Sequence, residues 1–393
     1  MTKHLDPRLR RLALTFAARL TELGEGYVSR EEAVQLLGLS ALCREHILLI
    51  GPPGTAKTAL VEEFSRMLQA KSFAYLLTRF TEPAELFGAI DVRSFQKDGT
   101  YHVNTEGMLP RAEFVFLDEL FHGSSAILNT LLTLVNERVF YNGAKPEPAA
   151  LQSMIAASND LPDDPTLLAF CDRFLFRCRL DYVGDDAIER LLTVGWEAEQ
   201  HQIRSPDRPA REPDTFELAD LRTLQAAVAD VDVSPVVGEL SKILLTLREE
   251  AVQFSDRRAV KAQKAIAASA LLAGRGTAES ADLGVLASLW NNAYDETAIR
   301  RVLEGHGVAV ADPAAPSRTL EEVRFDVRQV ETDLPHVVAA EEHRHLLRRL
   351  GRLLAEVRAG HPQAHDLLGQ IQQAQTRVLR ALQDLSGEEG FDV

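Results

Sequence analysis

The sequence contains very little cysteine, which limits the kinds of protein that it can encode. Cys43, Cys171 and Cys178 are the three cysteines among 393 residues. Their odd number and irregular spacing argue against a disulfide framework and against a cysteine-ligated metal site. We therefore expect a protein of the reducing cytoplasm whose cysteines serve as packing residues.

Basic residues are also in short supply. Lys and Arg together number 43 against 58 Asp and Glu, so the formal net charge is −15. Nonspecific binding to nucleic acid depends on Lys and Arg side chains that neutralise phosphates. The charge balance therefore disfavours a nucleic-acid-binding protein, although a small basic pore could hide within this average.

Long apolar runs are missing as well, since no stretch approaches the ~20 apolar residues of a membrane-spanning helix. Residues 1–16 combine basic and apolar residues in a helical period without a cleavage site after them, so we expect an amphipathic helix and not a leader. The content of 46% hydrophobic and 26% charged residues is typical of globular proteins. A chain of 393 residues predicts two or three domains.

Short apolar runs predict the strands of an α/β fold. They occupy residues 46–50, 73–77, 114–117, 153–157 and 174–180, and long helical patterns separate several of them. This alternation predicts a parallel sheet covered by helices on both faces. Asp98-Gly99 and Asn142-Gly143 are typical hairpin turns, so we expect two β-hairpins to project from this core.

Changes of pattern along the chain predict four segments. We expect an α/β domain over residues 1–183, a linker over 184–214, an all-α lid domain over 215–304 and a C-terminal helical extension over 317–393. Within the lid, we predict helices over 218–228, 234–250 and 256–272. The extension carries two apolar stripes that predict a helical hairpin, which packs on its own small core, on the body or on a partner.

A glycine-rich loop over residues 51–58 joins a predicted strand to a predicted helix. Its glycines let backbone N–H groups approach phosphates, and the helix N-terminus adds partial positive charge. We expect Lys57 to reach the β- and γ-phosphates and the Thr58 hydroxyl to bind Mg²⁺. Ala56 stands where the strict pattern has Gly, and a methyl group fits there if the residue keeps a negative φ. The alternative is a Gly/Pro turn that binds nothing.

Asp118 and Glu119 end the buried strand over residues 114–117. Carboxylates in such a place are costly unless they serve a cation or a reaction. We expect Asp118 to help hold Mg²⁺ and Glu119 to polarise the attacking water as a general base. A solvated strand end is the alternative, and the phosphate loop upstream favours the chemical interpretation.

Two further polar residues flank predicted strands. Asn159 follows one strand, where its amide could orient the attacking water or touch the γ-phosphate; a plain turn former is the alternative. Arg173 precedes another strand and could act in trans on the nucleotide of a neighbouring subunit. The alternative for Arg173 is a structural ion pair with Asp172.

Together these motifs resemble the AAA+ superfamily and, specifically, the RavA-like branch of the MoxR family, over roughly residues 10–300. The MoxR phosphate loop commonly reads G-x-P-G-x-A-K-[ST], with the same Ala. The loop looks like the Walker A motif, and residues 116–119 with the helical pattern over 126–138 look like the Walker B motif and the helix after it. Asn159 stands at the sensor 1 position, and residues 172–174 look like the arginine-finger box.

Residues 255–258 are similar to the sensor 2 segment of the RavA-like branch. Arg257 is our first choice for sensor 2 and Arg258 our second, with surface charges as the alternative. The resemblance thus implies the catalytic residues Glu119, Asn159, Arg173 and Arg257, with Thr58 and Asp118 as metal ligands. It implies a nucleotide bound by Gly51, Pro52, Pro53, Gly54, Thr55, Ala56, Lys57, Thr58, Ala59, Asp118 and Arg258.

The resemblance implies Mg²⁺-dependent ATP hydrolysis by a homo-oligomer, expected to be a hexameric ring or spiral. It also implies a chaperone-like remodeller or activator of a client protein, together with a partner that has a von Willebrand factor A (vWA) domain. His122 departs from the family, which often has a basic residue there, and the tail beyond Pro316 is shorter than the large insertion of RavA-like members. A nucleic-acid-dependent motor and an ATP-dependent assembly scaffold with little turnover are the alternative functions.

Overall fold

The computed structural model describes residues 5–91, 96, 102–143, 145–162, 164–205, 214–252, 254–310, 320–334 and 364–388, together with scattered helical residues from 343 to 357. The chain divides into two compact units. The larger unit comprises residues 1–291 and 298–311, and the smaller unit comprises residues 292–297 and 312–393.

Among the described residues, strands and α-helices alternate in the first half of the chain, and α-helices follow in the second half. The strands are β1 Ile47–Ile50, β2 Ser72–Leu76, β3 Phe114–Asp118, β4 Val139–Asn142, β5 Lys145–Pro148, β6 Ser153–Ser158 and β7 Phe176–Arg179. The α-helices are α1 Pro7–Glu25, α2 Glu31–Cys43, α3 Lys57–Met67, α4 Pro83–Phe87, α5 Ser125–Glu137, α6 Pro165–Cys171, α7 Ile188–Arg204, α8 Leu218–Ala227, α9 Ser234–Glu249, α10 Asp256–Leu272, α11 Ala293–Gly305, α12 Leu320–Asp333 and α13 His365–Glu388.

A five-stranded parallel sheet forms the centre of the larger unit. Its strand order is β2-β3-β6-β1-β7, and β1 pairs in parallel with both β6 and β7. Every residue of β1 and β6 is buried, because helices cover both faces of the sheet. The predicted parallel sheet between helices is therefore confirmed.

One of the two predicted hairpins lies in the described residues. Strands β4 and β5 pair antiparallel around the Asn142-Gly143 turn, and Gly143 has the positive φ of 63° that such a turn needs. The turn and most of the arms of the hairpin predicted at Asp98-Gly99 lie outside the described residues. At its base, Ile90 and Val103 form an antiparallel bridge.

The helical part of the larger unit follows the prediction closely, with one correction. Helices α8, α9 and α10 occupy the three ranges predicted for the lid. The segment 184–214, however, is not only a linker, because α7 fills most of it. Ile188, Leu191, Leu192 and Trp196 recur at helical spacing, which is the signal for this helix. The Pro/Arg stretch that suggested a linker begins only after α7 ends.

The smaller unit has its own core. Helices α12 and α13 pack together with the described helical residues from 343 to 357. The two predicted stripes are buried except at Leu382, which is half-buried. Helix α12 adds a third helical segment to the predicted hairpin, because Val327 and Val330 lie on one helical face and join the same core. Among the residues that the structure describes, no helix is long and apolar enough to span a membrane.

His46 is a buried polar residue directly before β1. Its Nδ1 accepts the backbone N–H of Met154 at 2.9 Å, so its Nε2 carries the proton and donates to the carbonyl oxygen of Val135 at 3.1 Å. Burial, assisted by the charge of Arg138, lowers the pKa of this imidazole from 6.5 to about 3. The folded protein therefore keeps His46 neutral.

Acidification is expected to destabilise the fold through His46. Below pH 6.5 the unfolded chain protonates this side chain, whereas the folded chain does so only at about pH 3. Between pH 6.5 and about 3, the free energy of unfolding should therefore decrease as the pH decreases. His46 alone contributes up to ~1.4 kcal/mol per pH unit. Urea unfolding of the wild type and of His46→Asn at several pH values checks this, because the variant should lose that part of the slope. Equal slopes in both proteins would contradict it.

Candidate nucleotide site

The parallel strands bring the predicted site residues to one edge of the sheet. The carboxyl ends of β1, β3 and β6 lead directly into the loop before Lys57, into Asp118 and into Asn159. The register pairs Ile50 with Ser158, so neighbouring strands end at the same level. We call this side of the sheet the carboxyl edge and its opposite side, where the strands begin, the amino edge.

Lys57 is folded back over its own loop. Its Nζ donates to the carbonyl oxygens of Gly51 at 2.6 Å and Pro52 at 2.9 Å. Burial lowers the pKa of Lys57, while the negative charges of Asp118 and Glu119 act against this shift. The ammonium group therefore lies within electrostatic range of both acids, as a shared phosphate and metal site requires.

The N-terminus of α3 is suited to an anion. No side chain caps this helix, and its first turn contains no acidic residue. Its first N–H groups are therefore available to a ligand, and the helix dipole favours negative charge at this end. Thr58 lies exposed in the same turn. The residues present fit the phosphates of a nucleotide and a magnesium ion bound beside them.

Ala56 does not meet the condition under which a methyl group fits the loop without strain. Its φ is +63° and its ψ is 22°, in the left-handed region, and not the negative φ expected for a residue with a methyl group. Ala56 is the N-cap residue of α3, and it is left-handed where the N-cap residues Ser124 and Ser255 are extended. The left-handed conformation costs a non-glycine residue about 1–2 kcal/mol, which explains why the strict pattern has Gly here.

Glu119 is held by polar neighbours on both sides of its carboxylate. The amide Nδ2 of Asn159 donates to Glu119 Oε1 at 2.8 Å, and His122 Nδ1 lies 3.6 Å from Glu119 Oε2. The backbone N–H of Glu119 donates to Asp118 Oδ1 at 2.9 Å. The two acids and the amide thus form one connected group, with Glu119 oriented by Asn159.

The three arginines predicted for the site lie at the amino edge, away from Lys57 and Glu119. Arg173 stands just before β7, and Arg257 and Arg258 begin α10, which packs against residues at the amino edge. Strand β1 alone separates the two edges by roughly 13 Å. These arginines therefore do not join Lys57 and Glu119 within one subunit.

Arg257 and Arg258 differ strongly in their surroundings. Arg257 is exposed, with a hydrogen bond of 3.4 Å to Asn136 Oδ1. Arg258 is buried, and its guanidinium donates to the carbonyl oxygen of Leu289 at 2.8 Å and to Asp172 Oδ1 at 3.1 Å. Of the two, Arg257 has the side chain that a nucleotide could reach.

Two family models match the sequence. A model for the MoxR domain in MoxR-vWA-beta-propeller ternary systems matches residues 15–224, which is more than half of the chain. A model for an AAA lid domain matches residues 233–303. The chain belongs to the MoxR family of AAA+ ATPases.

Individual relatives agree with this family. MJ0812, an uncharacterized protein of Methanocaldococcus jannaschii, is 35% identical over 276 residues, which are 70% of this chain and 71% of MJ0812. Chaperone MoxR1 of Mycobacterium tuberculosis is 26% identical over 182 residues, which are 45% of this chain and 47% of MoxR1. The crystal structure of a candidate ATPase from Cytophaga hutchinsonii has a TM-score of 0.59 at 18% identity, over 77% of this chain and 98% of that one. At this identity the likeness concerns the fold alone.

Two residues beside this MoxR phosphate loop are missed by the sequence prediction. The buried Arg30 donates to the carbonyl oxygens of Thr55 at 3.1 Å and Asp181 at 2.7 Å, so it ties the loop to the segment after β7. Tyr182 is 69% exposed, and its hydroxyl donates to the carbonyl oxygen of Pro53 at 3.4 Å. Neither lies in a motif, and only the fold brings residue 30 next to the loop.

Ala56→Gly is expected to leave the free energy of unfolding within about 1 kcal/mol of the wild type. Relief of the left-handed strain is offset by the greater freedom of glycine in the unfolded chain. As a control, Ala198→Gly at an exposed position inside α7 should cost the ~1 kcal/mol that glycine costs in a helix. Chemical unfolding of both variants measures the difference. If Ala56→Gly lowered the free energy of unfolding as much as Ala198→Gly or more, the strain at Ala56 would be contradicted.

Proposed function

We propose that this MoxR protein hydrolyses ATP with Mg²⁺ at the carboxyl edge of its sheet. The single observation that carries the proposal is the meeting of Lys57, Asp118, Glu119 and Asn159 at that edge. A module that only binds nucleotide needs the phosphate loop, but it does not need a carboxylate oriented by an amide. The Glu119–Asn159 contact therefore favours turnover over a passive scaffold.

Each residue has a role that follows from its place. The loop amides and Lys57 would bind the phosphates, and Thr58 with Asp118 would hold the metal ion. Mg²⁺, when bound, neutralises charge that develops on the phosphate oxygens. Glu119 accepts the proton of the attacking water, and Asn159 keeps its carboxylate turned to that task.

Arg173 is proposed to act on the nucleotide of a neighbouring copy, with Arg257 as sensor 2. Arg173 lies at the amino edge, whereas its own phosphate loop lies at the carboxyl edge. Contact between the amino edge of one copy and the carboxyl edge of the next would complete the site. Such a head-to-tail contact generates a ring if the rotation closes and a spiral if it does not. A hexamer is our preferred size.

The cellular role proposed is the remodelling or activation of a client protein in the cytoplasm. Support comes from the matched family model, which describes MoxR domains in systems with a vWA protein, and from the relative named as a chaperone. A vWA-domain protein is therefore our preferred partner. The net charge of −15 disfavours nucleic acid as the client.

Glu119→Gln is expected to bind ATP normally and to lose turnover by about 10²-fold or more, because the amide cannot accept the proton of water. Phosphate release at saturating ATP measures turnover, and a fluorescent ATP analogue measures affinity. Glu113→Gln is a matched control, because Glu113 directly precedes the same strand at the amino edge. Turnover near the wild-type rate in Glu119→Gln would remove Glu119 as the base.

Arg173→Ala is expected to cut turnover by ~10³-fold or more while leaving the affinity of the monomer for ATP nearly unchanged. Lys57→Ala should abolish nucleotide binding. A mixture of the two variants should recover activity, because the Lys57→Ala copies still supply Arg173 and the Arg173→Ala copies still supply Lys57. Phosphate release across mixing ratios tests this. If no mixture is more active than either variant alone, Arg173 does not act across an interface.

A further inference from the structure

Arg258 is a buried cation at the start of the lid helix α10. Its side chain is 2% exposed. The guanidinium donates to the carbonyl oxygens of Leu289 at 2.8 Å, Trp290 at 3.4 Å and Phe174 at 3.4 Å, and to Asp172 Oδ1 at 3.1 Å. A charge with so little access to solvent requires such a set of acceptors. These contacts leave Arg258 no access to a nucleotide.

The partner carboxylate of Arg258 belongs to the residue next to Arg173. Asp172 directly precedes Arg173 in the sequence, and a pair between the two is the alternative that the sequence leaves open for Arg173. The structure instead pairs Asp172 with Arg258. Among the described residues, Arg173 makes no ion pair, and its Nε is buried without a hydrogen-bond partner.

Helix α10 is fixed to the core close to this pair. Glu45, buried two residues before β1, forms ion pairs with Lys261 and with Lys264, the latter at 2.7 Å. Burial acts to raise the pKa of Glu45, but the two lysines outweigh it and lower the pKa overall. The lid helix therefore presents Arg258 to Asp172 from a fixed position.

We propose that Arg258 is a positioning residue that occupies Asp172 and so keeps Arg173 free for the neighbouring copy. Without Arg258, Asp172 pairs with the adjacent Arg173 and withdraws it from the interface. Arg258 thus acts on hydrolysis through Arg173 and without touching the nucleotide. The inference rests on the proposed role of Arg173 in trans.

The test compares Arg258→Gln, Asp172→Asn and the double variant of the assembled protein at saturating ATP and Mg²⁺. Arg258→Gln should lower kcat at least about ten-fold and leave the dissociation constant of a fluorescent ATP analogue within about two-fold. The kcat of Asp172→Asn alone shows what loss of this carboxylate costs and is the reference for the double variant. The kcat of the double variant should be at least about five-fold higher than that of Arg258→Gln, because no carboxylate remains to capture Arg173.

Several outcomes would overturn the proposal. A higher dissociation constant in Arg258→Gln with unchanged kcat would make Arg258 a nucleotide ligand. An equal loss of kcat in Arg258→Gln and in the double variant would show that Asp172 does not capture Arg173. Full activity of Arg258→Gln beside an inactive Arg173→Ala overturns this inference alone, whereas full activity of Arg173→Ala overturns the role of Arg173 itself.

Arg258→Lys keeps the test valid if Arg258→Gln does not fold. Lysine retains the charge that pairs with Asp172, so this variant should keep at least about half of the wild-type kcat. Thermal unfolding of each variant shows that the proteins compared are folded. A folded Arg258→Lys with a kcat about ten-fold below wild type, not rescued by Asp172→Asn, would overturn the proposal.

Discussion

The parallel alignment of β1, β3 and β6 is the constraint on which the site depends. Because these strands run in one direction and end at one level, the loop before Lys57, the acids after β3 and Asn159 after β6 must meet at the same edge. At this edge the side chains can contact each other directly, as the hydrogen bond between Asn159 and Glu119 shows. A change that shifts the register of one strand would separate these groups without altering any of them.

Buried charged side chains attach the lid helices to the amino edge of the sheet. Glu45 fixes the lid helix α10 through two lysines, and Arg177, fully buried, joins the start of β7 to the carbonyl oxygen of Trp290 and to Asn291 Oδ1 at 3.0 Å. Removal of one partner from such a network would leave an unpaired buried charge, which commonly costs about 3–5 kcal/mol. The lid is therefore bound to the amino edge of its own subunit, where Arg257 and Arg173 lie. In the assembly that we propose, a subunit would present the phosphate site on its carboxyl edge and the arginines for a neighbour on its amino edge.

Local patterns predict most of the fold, because each strand, turn and lid helix has its own signal. Apolar runs place the strands of the sheet, and Asn142-Gly143 places a hairpin. Helix α7 lies within the segment predicted as a linker, because that prediction rested on the Pro/Arg stretch that follows the helix. The left-handed φ of Ala56 could not be predicted, because alanine usually has a negative φ. The long-range partners of Arg30 and Arg258 could not be predicted, because no sequence pattern links residues that lie so far apart in the chain.

The central claim is that Lys57 and Glu119 face the same γ-phosphate and that Arg173 reaches it from another copy. The most direct measurement is a cryo-EM structure of the Glu119→Gln protein assembled with ATP and Mg²⁺. We expect Lys57 Nζ within about 3 Å of a γ-phosphate oxygen, Thr58 and Asp118 beside the metal ion, and Arg173 of a neighbouring copy at the same phosphate. A nucleotide bound away from residues 51–58, or acids turned to the other side of the sheet, would contradict the site.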